Sequence, residues 1–170
     1  MDRLILLLAR GGGLGLAPKA PGTVGTLGGF PLTALLLVPE NFWIYLAGCA
    51  VLVPLSAWVC GEAERILDRE DPGEVVLDEI IAVPMCFLGV FAVMTFQGEG
   101  MPTVQGVLAS QWTWAWALAG FALFRLFDIW KPGPIDRAQL LHKGWGVTMD
   151  DVLAGLLTGA ILGGVYFGLQ

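Results

Sequence analysis

The chain has 170 residues, 56% of them hydrophobic and only 14% charged, with a formal net charge of −6 and a mean hydropathy of +0.72. A soluble domain carries about 25% charged residues, so the composition excludes disorder and argues against a soluble fold. It points instead to a single membrane-embedded domain over residues 1–170, and the acidic balance argues against nucleic acid as a partner, which needs a basic face.

In chain order, the first apolar run, Leu4 to Ala9, has neither the length nor the small-residue cleavage site of a signal peptide, and none is expected. A glycine-rich segment from Gly11 to Thr26 follows, containing Lys19, Thr23 and Thr26. It reads either as a plain Gly/Pro connector or as a loop whose N–H groups face an anion at a helix N-terminus. No Gly-Lys-Ser/Thr closes it into a P-loop. Four stretches approach the ~20 residues of a membrane helix: Phe42–Cys60, Ile80–Phe96, Gly106–Phe127 and Val152–Leu169. A fifth, Val24–Val38, is shorter and contains Pro31, so it either spans with strain or re-enters. Pro54 and Pro84 are tolerable inside a membrane bundle. The expected fold is an all-α polytopic helical bundle with four to five membrane-embedded helices. Gly155, Gly159 and Gly163 repeat every four residues, a spacing that lets a neighbouring helix approach closely. Trp112, Trp114 and Trp116 read as an interfacial belt. Cys49, Cys60 and Cys86 have no metal-ligand spacing and read as small packing residues.

The nine basic residues fall in three segments: Arg3, Arg10 and Lys19; Arg65 and Arg69; Arg125, Lys131, Arg137 and Lys143. The connections around Glu40 and Glu99 have none. By the positive-inside rule the basic segments are cytoplasmic and the two connections external.

Carboxylates gather on the same side. Asp78 and Glu79 precede one apolar stretch, Asp128 ends another, and Asp150 and Asp151 precede the last. Charge so close to lipid is functional, paired or set against water. One such acid serves as a helix cap, but two doublets and a further acid exceed what capping needs. Hard oxygen ligands from several helices suit Mg²⁺, with a structural ion-pair network as the alternative. The mixed-charge segment from Glu62 to Glu74 reads as a solvated helix face, with Glu62 alone a candidate extra metal ligand. Other phosphoryl-transfer signatures are missing. Arg65 falls one residue short of a Cys-x5-Arg loop from Cys60, no Asp-x-Asp occurs, and His142 is the sole histidine. Carboxylates, cations and a glycine loop fit metal-assisted attack of water on a phosphate.

Four elements then carry a resemblance. They are Pro21-Gly22-Thr23-Val24-Gly25-Thr26, Val76-Leu77-Asp78-Glu79-Ile80-Ile81, Phe124-Arg125-Leu126-Phe127-Asp128-Ile129-Trp130-Lys131-Pro132 with Pro134-Ile135, and His142 to Gly146 running into Asp150-Asp151-Val152-Leu153-Ala154-Gly155. In this order they resemble the phosphatidylglycerophosphatase A family of bacterial inner-membrane lipid phosphatases; Ala82 stands where that family often has glycine. The resemblance implies a Mg²⁺-dependent phosphatase converting phosphatidylglycerol phosphate to phosphatidylglycerol, with a site facing the cytoplasm. Asp78, Glu79, Asp128, Asp150 and Asp151 are then metal ligands or, for one of them, the base for water, with Asp78, Asp128, Lys131 and Asp150 as the catalytic set. Lys131, Arg125, Lys19 and Thr23 are candidates for the phosphate; Arg125 alternatively snorkels to the interface. His142 is either a donor to the leaving alkoxide or solvated. The rival readings are a cation transporter, which needs acids near mid-membrane, a lipid phosphotransferase, whose Asp-Gly…Ala-Arg signature is missing, and a phosphatase for another lipid phosphate.

Overall fold

A computed structural model describes Met1–Gln170 as helices joined by short turns, with no strand. The order is α1 (Asp2–Ala9), a 3-10 segment (Gly11–Leu16), α2 (Pro21–Leu37), α3 (Phe42–Leu67), α4 (Leu77–Met85), α5 (Leu88–Phe96), α6 (Val104–Ala109), α7 (Thr113–Trp130), α8 (Pro134–Ala138) and α9 (Gly144–Gly168). Three segments are long and apolar enough to cross a membrane: α3, α4 with α5 as one span, and α9. The shorter α2 and the 18-residue α7 complete the bundle.

The chain passes back and forth between two ends. Gly22 of α2 lies against Glu79 of α4, and Gly48 of α3 lies against Leu36 near the other end of α2. Phe42 stacks edge-on against Phe96 at that far end, where Tyr166 of α9 also donates to Glu99 at 2.7 Å. All three basic segments therefore share one end, here called the basic end, as their spacing requires. The tight α2–α3 connection works because Asn41 Oδ1 accepts from the N–H groups of Trp43 and Ile44 at 2.9 and 3.1 Å, satisfying donors that a helix start leaves open.

Three expected boundaries shift. The run at residues 24–38 belongs to α2, which starts at Pro21 and is one continuous 17-residue helix despite Pro31, about 26 Å long. The run Gly106–Phe127 is not one helix. α6 ends at Ala109, and α7 starts at Thr113 beyond polar Ser110 and Gln111. The last helix starts at Gly144 rather than Val152, which places Asp150 and Asp151 in its second turn. It extends upstream because a Cβ on Gly144 would collide with the Ala57 carbonyl and the Gly61 backbone of α3, so only glycine permits that approach.

The core lies between α3, α4, α5, α7 and α9, built on Tyr45, Ile81, Phe91, Phe124 and Leu162. Pro84 and the turn between α4 and α5 would leave carbonyls unpaired in an apolar medium. Tyr45, fully buried, donates its hydroxyl to the Pro84 carbonyl at 2.7 Å. A second cluster of Ile5, Ala9, Val59, Cys60, Ala63 and Val75 ties α1 and the chain before α4 to the end of α3. The cysteines are free and buried in these cores, as packing residues should be. Trp112 and Trp114 are exposed at the far end of α7, where an interfacial belt belongs.

Candidate active site

Two helices bring the acids together through the small residues one turn away. Gly155 follows Asp151 by one turn of α9, and Ala82 follows Asp78 by one turn of α4. A Cβ on Gly155 would lie 2.7 Å from the Ala82 carbonyl oxygen, and one on Gly159 2.5 Å from that of Met85. The backbones thus run in near contact, and the next turn of each presents its carboxylate to the other. Asp78, Glu79 and Asp151 each offer a ligand oxygen, all within 4.8 Å of one another. Asp78 and Asp151 are both 4% exposed. The Glu79 and Asp151 N–H groups donate to the preceding carboxylates, Asp78 Oδ1 and Asp150 Oδ1, each at 3.0 Å. Glu79 Oε2 is buried with no hydrogen-bond partner. Three close carboxylates with an unspent oxygen among them form a donor set suited to a hard divalent cation.

The neighbouring groups are cations and N–H donors. Arg125, from the last turns of α7, pairs with Asp128 Oδ2 at 2.5 Å and lies 3.7 Å from Glu79 Oε1. Both contacts use Nη1, while its Nε is buried with no hydrogen-bond partner, so Arg125 points into the acids and retains a donor for an anion rather than snorkelling away. A Cβ on Gly22 would strike Glu79 Oε1 and come within 3.3 Å of Arg125 Nη1. Glycine there lets the N-terminus of α2, with its open N–H groups and positive dipole end, reach the acids. Thr23 is half-buried in that first turn, whereas Lys19 lies exposed before it without an ion-pair partner.

The aspartate doublet on α9 divides. Asp151 faces Asp78 and Glu79, whereas Asp150 Oδ2 accepts from Lys131 Nζ at 2.6 Å and from Gln139 Nε2 at 3.0 Å. Lys131 ends α7 in the left-handed conformation, φ 48°, held by this pair. Burial opposes its charge, but the bond to Asp150 and the fields of Asp150, Asp128 and Asp151 outweigh it and raise its pKa. Asp71 joins from the α3–α4 connection. Burial and the charges of Asp150 and Asp128 raise its pKa, against the opposing pull of Lys131.

Asp78, Glu79, Asp151, Asp128, Arg125, Lys131 and Asp150 therefore converge at the basic end, with Asp128 and Asp150 as partners of cations rather than members of the three-carboxylate group. Glu62 does not converge. It pairs with Arg65 at 2.9 Å on the wall of an adjoining cleft of about 1070 Å³, which Trp58, His142 and Trp145 also line and which meets the site at Asp150 and Gln139. His142 is likewise in that cleft and not among the clustered acids. Gly22, Asp71 and Gln139 are site neighbours without a motif of their own; only Gly22 carried a signal, its place in Pro-Gly-Thr.

Comparison with known proteins agrees. The family model described as Phosphatidylglycerophosphatase A matches residues 7–166. Phosphatidylglycerophosphatase A of Haemophilus influenzae is 38% identical over 153 residues, 89% of this chain and 82% of the relative. That of Escherichia coli K12 is 32% identical over 160 residues, 92% and 80% of the two chains. A Bacteroides thetaiotaomicron protein provisionally named a phosphatidylinositol-3-phosphatase is 34% identical over 157 residues, 90% and 87%. No solved structure matches. The match takes in the α2 start, the α4 acids, the α7 end and the α9 doublet, and with relatives aligned along most of their length this membrane protein belongs to the phosphatidylglycerophosphatase A family of phosphatases.

Proposed function

We propose that the protein hydrolyses phosphatidylglycerol phosphate to phosphatidylglycerol and inorganic phosphate at the cytoplasmic face of the bacterial inner membrane, with Mg²⁺ held by Asp78, Glu79 and Asp151. The observation that carries the reading is the convergence of these three carboxylates with Arg125 and the α2 N-terminus at the basic end of the bundle. When bound, Mg²⁺ supplies charge neutralisation for the transferring phosphoryl group. The chain's own residues bind and orient the phosphate. Arg125 offers its unpartnered Nε, held in place by the Nη1–Asp128 pair, and the N–H groups of Gly22 and Thr23 face the same space from α2. Lys131 adds a compact positive charge, and Asp150 and Gln139 fix where that charge sits. The diacyl part stays in the bilayer, so the monoester meets the protein at this level only.

Orientation follows from the basic residues sharing one end. Impermeant labelling of single cysteines at positions 40, 69 and 99 in intact cells tests it. Reaction at 40 and 99 but not 69 is expected, and the converse overturns the topology. The reaction is tested by phosphate release from purified protein against phosphatidylglycerol phosphate, phosphatidic acid and phosphatidylinositol 3-phosphate, with and without a chelator. Preference for phosphatidylglycerol phosphate that is lost on chelation supports the reading. Preference for phosphatidylinositol 3-phosphate, the activity in the name of the Bacteroides relative, replaces its substrate. Turnover unchanged by chelation removes the metal from it.

A further inference from the structure

The first twenty residues hold three cations, Arg3, Arg10 and Lys19, against one acid, Asp2; the remaining 150 residues hold six cations against fourteen acids. A basic foot on an acidic protein attracts an anionic surface. On it, Arg3, Leu7 and Arg10 recur at the spacing of one face of α1. With Leu6, Gly13 and Leu16 they line a notch of about 190 Å³. Leu7 and Leu16 are 53% and 59% exposed, so cationic heads sit directly beside apolar surface. Arg10 spends Nη2 on Glu74 at 2.9 Å, but its Nε is buried with no partner. Two guanidiniums beside leucines, at the end of the molecule that carries the basic residues, complement one chemistry: a negatively charged headgroup with its acyl chains.

The notch is mechanically joined to the acids. Val76 N–H donates to the Ala9 carbonyl at 2.9 Å, two residues before Asp78. A Cβ on Gly15 would collide with the Glu74 carbonyl oxygen, and one on Gly11 with Ile80. The foot therefore clasps residues 74–76, the lead-in to α4.

We propose that the notch between α1 and the 3-10 segment binds one anionic phospholipid, separate from the substrate, and that this lipid steadies the lead-in to Asp78 and Glu79. The occupant is a bilayer lipid rather than free phosphate, because Leu7 and Leu16 supply surface for acyl chains. Its effect on turnover rests on the phosphatase reading; its binding does not.

The test uses the full chain in nanodiscs of phosphatidylcholine alone or with graded phosphatidylserine, a lipid that the proposed reaction neither consumes nor releases. Hydrogen exchange is followed over residues 1–20 and 74–80, and phosphate release from phosphatidylglycerol phosphate is measured in parallel. Phosphatidylserine should protect both segments and raise turnover. One basic residue near an anionic surface is worth about fivefold in affinity. Arg3→Gln should therefore need about fivefold more phosphatidylserine for half-protection, with Arg3→Lys close to wild type and turnover in pure phosphatidylcholine unchanged. Equal titrations for wild type and Arg3→Gln would overturn the site. Protection of residues 1–20 without residues 74–80 or turnover would overturn its coupling to the acids. No phosphate release in any bilayer would instead sink the phosphatase reading and leave exchange to judge the notch.

Discussion

Gly155→Ala should damage catalysis without touching a charged group. The added Cβ would lie 2.7 Å from the Ala82 carbonyl oxygen and 3.3 Å from Met85 Cβ, where ordinary contact begins at 3.4 Å. Relief needs roughly 0.7 Å of separation between α9 and α4, and neither neighbour is the loose end of a flexible side chain. Overpacking of this kind costs about 1–3 kcal/mol, offset by up to ~1 kcal/mol from the better helix propensity of alanine. The protein should therefore stay folded with a modestly lower melting temperature. The displacement is delivered one turn away, where Asp151 meets Asp78 and Glu79 within 4.8 Å. A misplacement approaching 1 Å costs on the order of a hundredfold in rate. The assay is phosphate release from phosphatidylglycerol phosphate across a Mg²⁺ titration, beside a thermal melt. Gly164→Ala, on the same helix with nothing within 4 Å of the new Cβ, should match wild type in both. If Gly155→Ala turns over at the wild-type rate, close backbone approach is not what places Asp151, and the reasoning fails.

Asp78→Asn and Asp151→Asn should each lower turnover by about a hundredfold or more, whereas Glu70→Gln, exposed on the connection after α3, should leave it near wild type; equal losses would make the acids structural. Asp150→Asn should resemble Lys131→Ala, a loss that excess Mg²⁺ does not repair, because Asp150 holds Lys131. Partial Mg²⁺ rescue is expected for Asp151→Asn, and rescue of Asp150→Asn would make that residue a metal ligand. The raised pKa of Asp71 means that the folded state holds its proton more tightly than the unfolded chain, so wild type loses stability as pH rises from below the ordinary 3.8 through the raised value. Asp71→Asn should then melt higher than wild type at neutral pH in chelator, with the gap closing in acid. A gap independent of pH would refute that cause.

Hydropathy located α3, the α4–α5 span and α9 because each is a long apolar run with few charges. It merged α6 with α7, since a three-residue break barely changes an average taken over a membrane-length window. It started α9 too late because it counts Asp150 and Asp151 as polar, although burial here is offset by partners on other elements. The same blindness affected the doublets. Neighbouring residues on a helix point about 100° apart, so Asp150 and Asp151 serve different partners although spacing presents them as one unit. Asp78 and Glu79 both reach the group because the longer glutamate makes up the angle. Gln139 and Asp71 take their place from the loops around α8 and after α3, and no local pattern encodes those approaches. Lys131, Arg125 and the α4 and α9 acids were legible because each ends or begins an apolar helix, where a charge needs a reason.

The charge balance at the basic end orders the binding events. Five carboxylates (Asp78, Glu79, Asp128, Asp150 and Asp151) face two cations, Arg125 and Lys131, a formal excess of three negative charges. A phosphate monoester near pH 7 carries close to two more, because its second pKa is about 6. In a site this buried such repulsion is weakly screened, and the α2 N-terminus contributes only about half a positive charge. The residues alone therefore disfavour the substrate. On the proposed reading one divalent cation leaves a formal excess of one negative charge, which Arg125 and the α2 N–H groups can meet with directed bonds. Linkage then makes the effect mutual: whatever factor Mg²⁺ adds to lipid affinity, the lipid adds to Mg²⁺ affinity. Removing Arg125 should lower lipid affinity while strengthening metal binding, since it deletes a positive charge 3.7 Å from Glu79. Lipid binding by Arg125→Gln, compared with wild type at fixed Mg²⁺ and then at saturating Mg²⁺, separates these two effects. A weaker metal affinity in that variant would show that Arg125 holds the acids in place instead of meeting the phosphate.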